Sequence, residues 1–192
     1  MRLTSGHAAT LFFALFLSQA CSHVCVHGKN WPFKIGTDPQ AGDVSLDPVP
    51  TSIDELRAIP HIDRPPSGRI APFELMTYSL HDVWFQSFQR SPDGDVHMVL
   101  ADDDGHTMIA ETPPPSCTDD SSPWHDKIVA VRSAILADLP PTALIGSRHE
   151  LISLAGVGYI DSLHGQPGVA PNGIEIHPVL SICFGKGCAL PE

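Results

Sequence analysis

Positive charge is scarce in this sequence. Eleven Lys and Arg face twenty-two Asp and Glu, for a formal net charge of −11. Between Thr77 and Phe184 the basic residues are Arg90, Lys127, Arg132 and Arg148, against fourteen acidic ones. A nucleic-acid binder releases counterions through a stripe of Lys and Arg. No such stripe is visible, which argues against general DNA or RNA binding. The cysteines never fall as C-x-x-C, so the usual spacing of a structural zinc site is missing. The phosphate-binding G-x-x-x-x-G-K-[ST] loop and the G-x-S-x-G elbow of hydrolases are absent too. Past residue 20 no run is long and apolar enough to cross a bilayer, which takes about 20 residues. No internal repeat is visible.

What is present begins with an export pattern. Arg2 gives a positive start, Ala8 to Leu17 is apolar, and Ser18-Gln19-Ala20 offers small residues where signal peptidase reads. Residues 1–20 are expected to be a signal peptide cleaved after Ala20; the competing reading is a buried N-terminal helix. Cleavage would leave Cys21 first, which raises a lipid anchor there, although Gln19 stands where a lipoprotein signal usually has a small residue. With Cys21 lipidated, an even number of cysteines remains, as suits an oxidising periplasmic or extracellular compartment. Cys183 and Cys188 flank Phe-Gly-Lys-Gly, a short closable loop, and are expected to form a disulfide. Cys25 and Cys117 would then pair by elimination, though four cysteines admit three pairings.

Residues 21–72 read as a Pro-rich irregular segment, either an ordered wrap over the domain or a tether. Eight prolines between Pro32 and Pro72 break any long element. One short helix is expected where Ser52 and Glu55 make an S-x-x-E capping box ahead of Leu56 and Ile59. The folded domain spans 73–192. Strands are expected over 77–89, 95–101 and 106–111, separated by the turns Ser91-Pro92-Asp93-Gly94 and Asp102-Asp103-Asp104-Gly105. A helix follows, capped by Ser122 and opened by Pro123, with Trp124, Ile128, Val131 and Ile135 on one face. Two more strands, 151–161 and 174–184, end the domain.

Between those last strands lies His164-Gly-Gln-Pro-Gly-Val-Ala-Pro-Asn-Gly173, too long for a tight hairpin. A long loop of fixed conformation is often functional; the bland alternative is a rigid loop whose polar groups satisfy one another. The strand after it alternates with period two. Ile174, Ile176, Leu180, Ile182 and Phe184 share one face and Glu175, His177, Val179, Ser181 and Cys183 the other. One buried face is expected. Glu175 and His177 then stand side by side, either as an oriented acid–base or metal-binding pair or as a hydrogen-bonded pair pinning the loop. Asp95 and His97 repeat the arrangement. The candidate binding residues are His164, Gln166, Asn172, Glu175 and His177. The candidate ligands for a divalent metal are Asp95, His97, His164, Glu175 and His177, provided the fold brings them together. Leu100 to Glu111 is not a calcium loop, because Leu100 has no ligand at the first position and the flanks read as strands.

The element order β-β-β-α-β-β resembles the OB-fold, a five-stranded Greek-key barrel with a helix between strands three and four. The resemblance implies a β-rich α+β domain that binds ligands beside the loops 90–94 and 162–173. Asp93-Gly94-Asp95, followed by a strand and then Glu111-Thr112-Pro113, is similar to staphylococcal nuclease, an OB-fold family with a D-G-D turn and a later D-T-P-E. It implies Asp95 as a calcium ligand and Glu111 in the place of the D-T-P-E aspartate. Pro114 stands where that family has its catalytic Glu, and His106 near a phosphate-binding Arg, so that mechanism is not carried over. Lys34-Ile-Gly-Thr-Asp38, PDGDVHMVLADDDGHTMIAE and HGQPGVAPNGIEIHPVL together resemble a group of uncharacterised secreted bacterial proteins. That resemblance implies export and the extent of the domain.

The sequence leads first to an exported bacterial binding or structural module of the cell envelope, with an unknown ligand or envelope protein as partner. A metal-dependent hydrolase acting on phosphodiesters is the alternative.

Overall fold

The computed structural model describes residues 25, 28–65, 67–139 and 144–191. The expected signal peptide and Cys21 lie outside the described residues. Within them the chain is a β-rich α+β fold with a six-stranded mixed sheet and few helices. The strands are β1 (Ser45–Pro50), β2 (Met76–Arg90), β3 (Val96–Ala101), β4 (Thr107–Thr112), β5 (Ile145–Ile160) and β6 (Ile174–Phe184). The helices are α1 (Trp31–Ile35), α2 (Ile53–Arg57) and α3 (His125–Asp138). Among the described residues no helix is long and apolar enough to cross a membrane.

The strands pair in the order β1-β2-β3-β4-β6-β5, and β5 also pairs with β2, so the sheet returns on itself as a ring. The ring is not a regular barrel. β2 and β5 slip register at Leu80/Val83 and at Phe85/Ser87. β4 and β6 meet, in parallel, only at Ile109↔Glu175 and Ala110↔Ile176.

Period two decides what fills the ring. Val96, Met98 and Leu100 of β3, Met108 and Ala110 of β4, Ile152 and Leu154 of β5, and Ile174 and Ile176 of β6 join one apolar core. Burying each of these side chains larger than alanine is worth roughly 1.5–3 kcal/mol. Helix α3 adds Val131 and Ile135 to this core, while its own Ile128 and the preceding Trp124 enter a second cluster with Val157 and Leu180. The apolar face expected for this helix is therefore buried throughout. Its start differs: α3 begins at His125, and the Ser122 hydroxyl donates to Ile35 O and accepts from Trp124 N, so it ties the helix to α1.

Three further expectations are corrected. The segment 21–72 holds a helix, α1, and a strand, β1, beside the α2 capping box that the sequence announced. Strand β5 starts at Ile145 rather than 151. Strand β6 does not keep one buried face. Its register with β5 slips twice between Gly158↔Ile176 and Ala155↔Ser181, so Val179 turns into the ring with Ile176 and Ile182, and Leu180 turns out to Trp124.

The N-terminal segment is a wrap. Arg69, fully enclosed, holds Asp38 through Nε (3.1 Å) and Nη2 (2.5 Å) and also reaches Phe33 O (2.9 Å). Arg64 pairs with Glu74 and with Ile160 O. Glu74 in turn accepts from the backbone N–H groups of Ile70 and Ile160, each at 2.8 Å. The Cys25–Cys117 disulfide fastens the start of the wrap, with Cα atoms 5.6 Å apart. Cys183–Cys188 forms as expected, with Cα atoms 6.0 Å apart.

Candidate functional site

The residues that point into the ring on β3, β4 and β6 are apolar. Their neighbours point out of it, and there the chemistry collects. His97 on β3 lies opposite Glu111 on β4 in the antiparallel register. The parallel pairing of β4 with β6 brings Glu175 and His177 alongside Glu111. Asp95 stands one residue ahead of β3. An outward face normally meets water, but this one is covered. Helix α1 delivers Lys34, and the 162–173 loop delivers Pro167. Asp95 is 1 % exposed, Glu175 2 % and His177 0 %.

The geometry is that of one connected network. Glu111 accepts from His97 Nδ1 at 2.7 Å with one oxygen and faces His177 Nδ1 at 2.9 Å with the other. His177 Nδ1 also lies 3.2 Å from Glu175. Lys34 Nζ sits among three carboxylates, 3.4 Å from Asp161, 3.6 Å from Glu111 and 3.7 Å from Glu175, and over the Tyr159 ring at 5.1 Å. His97 Nε2 lies 2.9 Å from Pro167 O. Both ring nitrogens of His97 therefore face acceptors, an arrangement that favours the doubly protonated imidazolium. On His177 only Nδ1 is engaged in hydrogen bonding. Its Nε2 has no hydrogen-bond partner and lies 3.6 Å from Asp95, whose two carboxylate oxygens also have none.

Burial and charge compete at each group. Burial pushes the Asp95 carboxyl up to about 7, offset in part by His177. Burial raises Glu175 as well. For Glu111 burial acts in the same upward direction, yet the hydrogen bonds from His177 and His97 prevail and hold it well below the carboxylate range. His177 is pulled down by burial and by Lys34, but Glu111 and Glu175 carry it up to about 9. His97 is raised by Glu111 against its burial. Lys34 is raised too, because Glu175, Glu111 and Asp161 outweigh its burial. The three carboxylates thus hold Lys34 as an ammonium.

The loop over this network is built rather than loose. Gly168 has φ +79°, and a Cβ there would lie 2.5 Å from Val99, so only glycine lets the loop rest on β3. Asn172 is buried and donates to Leu56 O and Ile59 O, while its own oxygen accepts from Ile174 N. It locks the loop to α2. Between the loop, the β2–β3 turn and α1 opens a cavity of about 320 Å³, lined by Lys34, His97, Glu111, Asp161, His164 and Gln166 among others.

The fold brings together Asp95, His97, Glu175 and His177 of the expected cluster. His164 stands apart, exposed at the cavity rim and 2.5 Å from Gln166 Nε2. Sequence reasoning gave Glu111 a place only through the nuclease resemblance, and Lys34 no role at all. Counting back from the Asp-Gly turn would have set Glu111 opposite His97; nothing local marks Lys34. A second group of ligating side chains, Asp54, Asp104 and His106, lies exposed on the surface. Comparison of the chain with family models, with curated proteins and with solved structures found no match.

Proposed function

We propose that this chain is an exported binding module of the cell envelope, built on an OB-like ring, that takes a small neutral or cationic polar ligand into the cavity above His97 and Glu111. The position of that cavity carries the reading. Its lining comes from the β2–β3 turn (Ser91, Asp93), from β3 and β4 (His97, Glu111) and from the β5–β6 loop (His164, Gln166). Those are the elements that an OB barrel uses for its ligands. The strand order, with β5 returning to β2, supports the OB-like reading. A volume of about 320 Å³ suits a small ligand. Charge selects its type. Asp93, Glu111 and Asp161 line the cavity, and Lys34 is already spent on three carboxylates, so an anion meets net repulsion. The two disulfides suit export.

A phosphodiester hydrolase is the second reading, favoured by the approach of Asp95, Glu111 and His177 beneath the same cavity. Histidine side-chain NMR separates the two. Titration with neutral oligosaccharides and diamines is expected to shift the His97 and His164 resonances, and nucleotides to leave them unmoved. A response to nucleotides alone would transfer the site to the hydrolase reading; no response to any of them would end the binding proposal.

A further inference from the structure

We propose that Asp95 and His177 hold a borderline transition-metal ion of the Zn²⁺ class, with Glu111 and Glu175 orienting the His177 ring from its Nδ1. This deepens the reading of the same site, and it rests on atoms beneath the cavity rather than on the cavity itself. The argument is one of unmatched buried polar atoms. His177 Nδ1 faces two carboxylate oxygens, on Glu111 and Glu175, and must carry a proton toward them. Nε2 is then the ring nitrogen left to face Asp95. Across from it, at 3.6 Å, stands the Asp95 carboxyl group. All three atoms are buried and without a hydrogen-bond partner. Two partnerless polar groups facing one another in an enclosed site need a cation between them, either a proton or a metal ion.

A proton is the smallest such cation, but the separation does not suit it. An N–H···O bond spans roughly 2.7–3.2 Å. Two ligands at ~2.1 Å from one tetrahedral ion stand roughly 3.4 Å apart. The nearby guanidinium does not fill the gap, since Arg132 spends Nη1 on Thr112 O and Nη2 on Gly94 O. Asp95, Glu111 and His177 present ligand atoms all within 4.8 Å of one another. An imidazole nitrogen with a carboxylate selects a borderline metal over calcium, which prefers oxygen alone. Glu111 and Glu175 on Nδ1 form the carboxylate–histidine arrangement that orients a metal-bound ring.

The full mature chain, stripped with chelator and returned to Zn²⁺, Mn²⁺ or Ca²⁺ singly, tests this. The expected result is one Zn²⁺ per chain retained through desalting, a raised melting temperature that chelator reverses, and no comparable effect of Ca²⁺. Asp95→Asn should lose more than 100-fold in Zn²⁺ affinity while its metal-free form melts no lower than the metal-free parent. Glu175→Gln should lose about 10–100-fold. The pair Asp54→Asn/His106→Gln, on the exposed cluster, should bind as the parent does. Should Asp95→Asn fail to fold, Co²⁺ spectra of the parent still decide, by showing or lacking the absorption of a low-coordinate nitrogen–oxygen site. Absence of metal binding, or metal that survives Asp95→Asn and leaves with His106→Gln, overturns the proposal. Because no organic ligand enters this experiment, its failure is separate from a failure of the histidine titration above.

Discussion

The two faces of β3, β4 and β6 differ in everything except their backbone. The inner face carries Val96, Met98, Met108, Ala110, Ile174 and Ile176; the outer one carries His97, Glu111, Glu175 and His177. Both are buried, for different reasons. The inner face is closed by its own ring and by α3. The outer face is closed only by residues from elsewhere: Lys34 on α1, fastened near the Cys25–Cys117 bond, and the loop that Gly168 and Asn172 hold down. Apolar burial needs no particular partner. Polar burial needs every lone pair matched, so it fixes the identities of distant residues as well as their size.

The contrast can be broken most strongly from the wrap. Lys34→Met removes the cation from among three carboxylates and leaves Glu175 buried against Glu111. The expected loss is about 3–5 kcal/mol in urea melts, the scale of halving a buried ion pair. A divalent cation should return part of it, because the vacated oxygens are suitable ligands. A loss below 1 kcal/mol would mean that the outer face does not depend on its cover.

Ile176→Ala makes the matching change on the inner face, one residue from both Glu175 and His177. Its cost should be about 2–5 kcal/mol from lost burial and the cavity left behind. Unlike changes at Asp95 or His177, it should cost the same with and without chelator. A chelator-dependent cost would join the two faces into one unit and dissolve the comparison.

The smallest effect is expected at the fastening. Cys25→Ala with Cys117→Ala should lower stability by about 2–4 kcal/mol, since the bond closes a loop spanning a separation of 92 residues. Hydrogen exchange should rise first in the backbone around Lys34, with β3 and β4 following only on global unfolding. Uniform loosening of α1 and β3 would show that wrap and ring unfold as one.

How much of this was legible can be judged residue by residue. The α2 capping box, the apolar face 124–135 and the Cys183–Cys188 loop were read correctly, because each signal lies within a few residues of its effect. Strand β1 was not read. All six of its residues are exposed, so period two leaves no apolar trace, and Pro48 and Pro50 read as breakers. The first half of β5 escaped for a related reason: its half-buried positions are Gly146, Arg148 and Glu150, so no apolar residue marks the inward side. In β6 the alternation was visible but its two register slips were not, so Val179 and Leu180 were assigned to the wrong faces.

Alternation along a strand is a local property, and the sequence by itself determined that Glu175 and His177, like Asp95 and His97, project to one side together. It also determined the acidic balance that argues against a general nucleic-acid binder. Only the tertiary structure decided that this side is covered. That required Lys34, more than 60 residues ahead of β3, and a loop 70 residues beyond His97, to close over it. It also decided that Glu111 sits between the two histidines and that Asp95 meets His177 Nε2. Those contacts follow from which strands neighbour one another in the ring, and no period in the sequence encodes that.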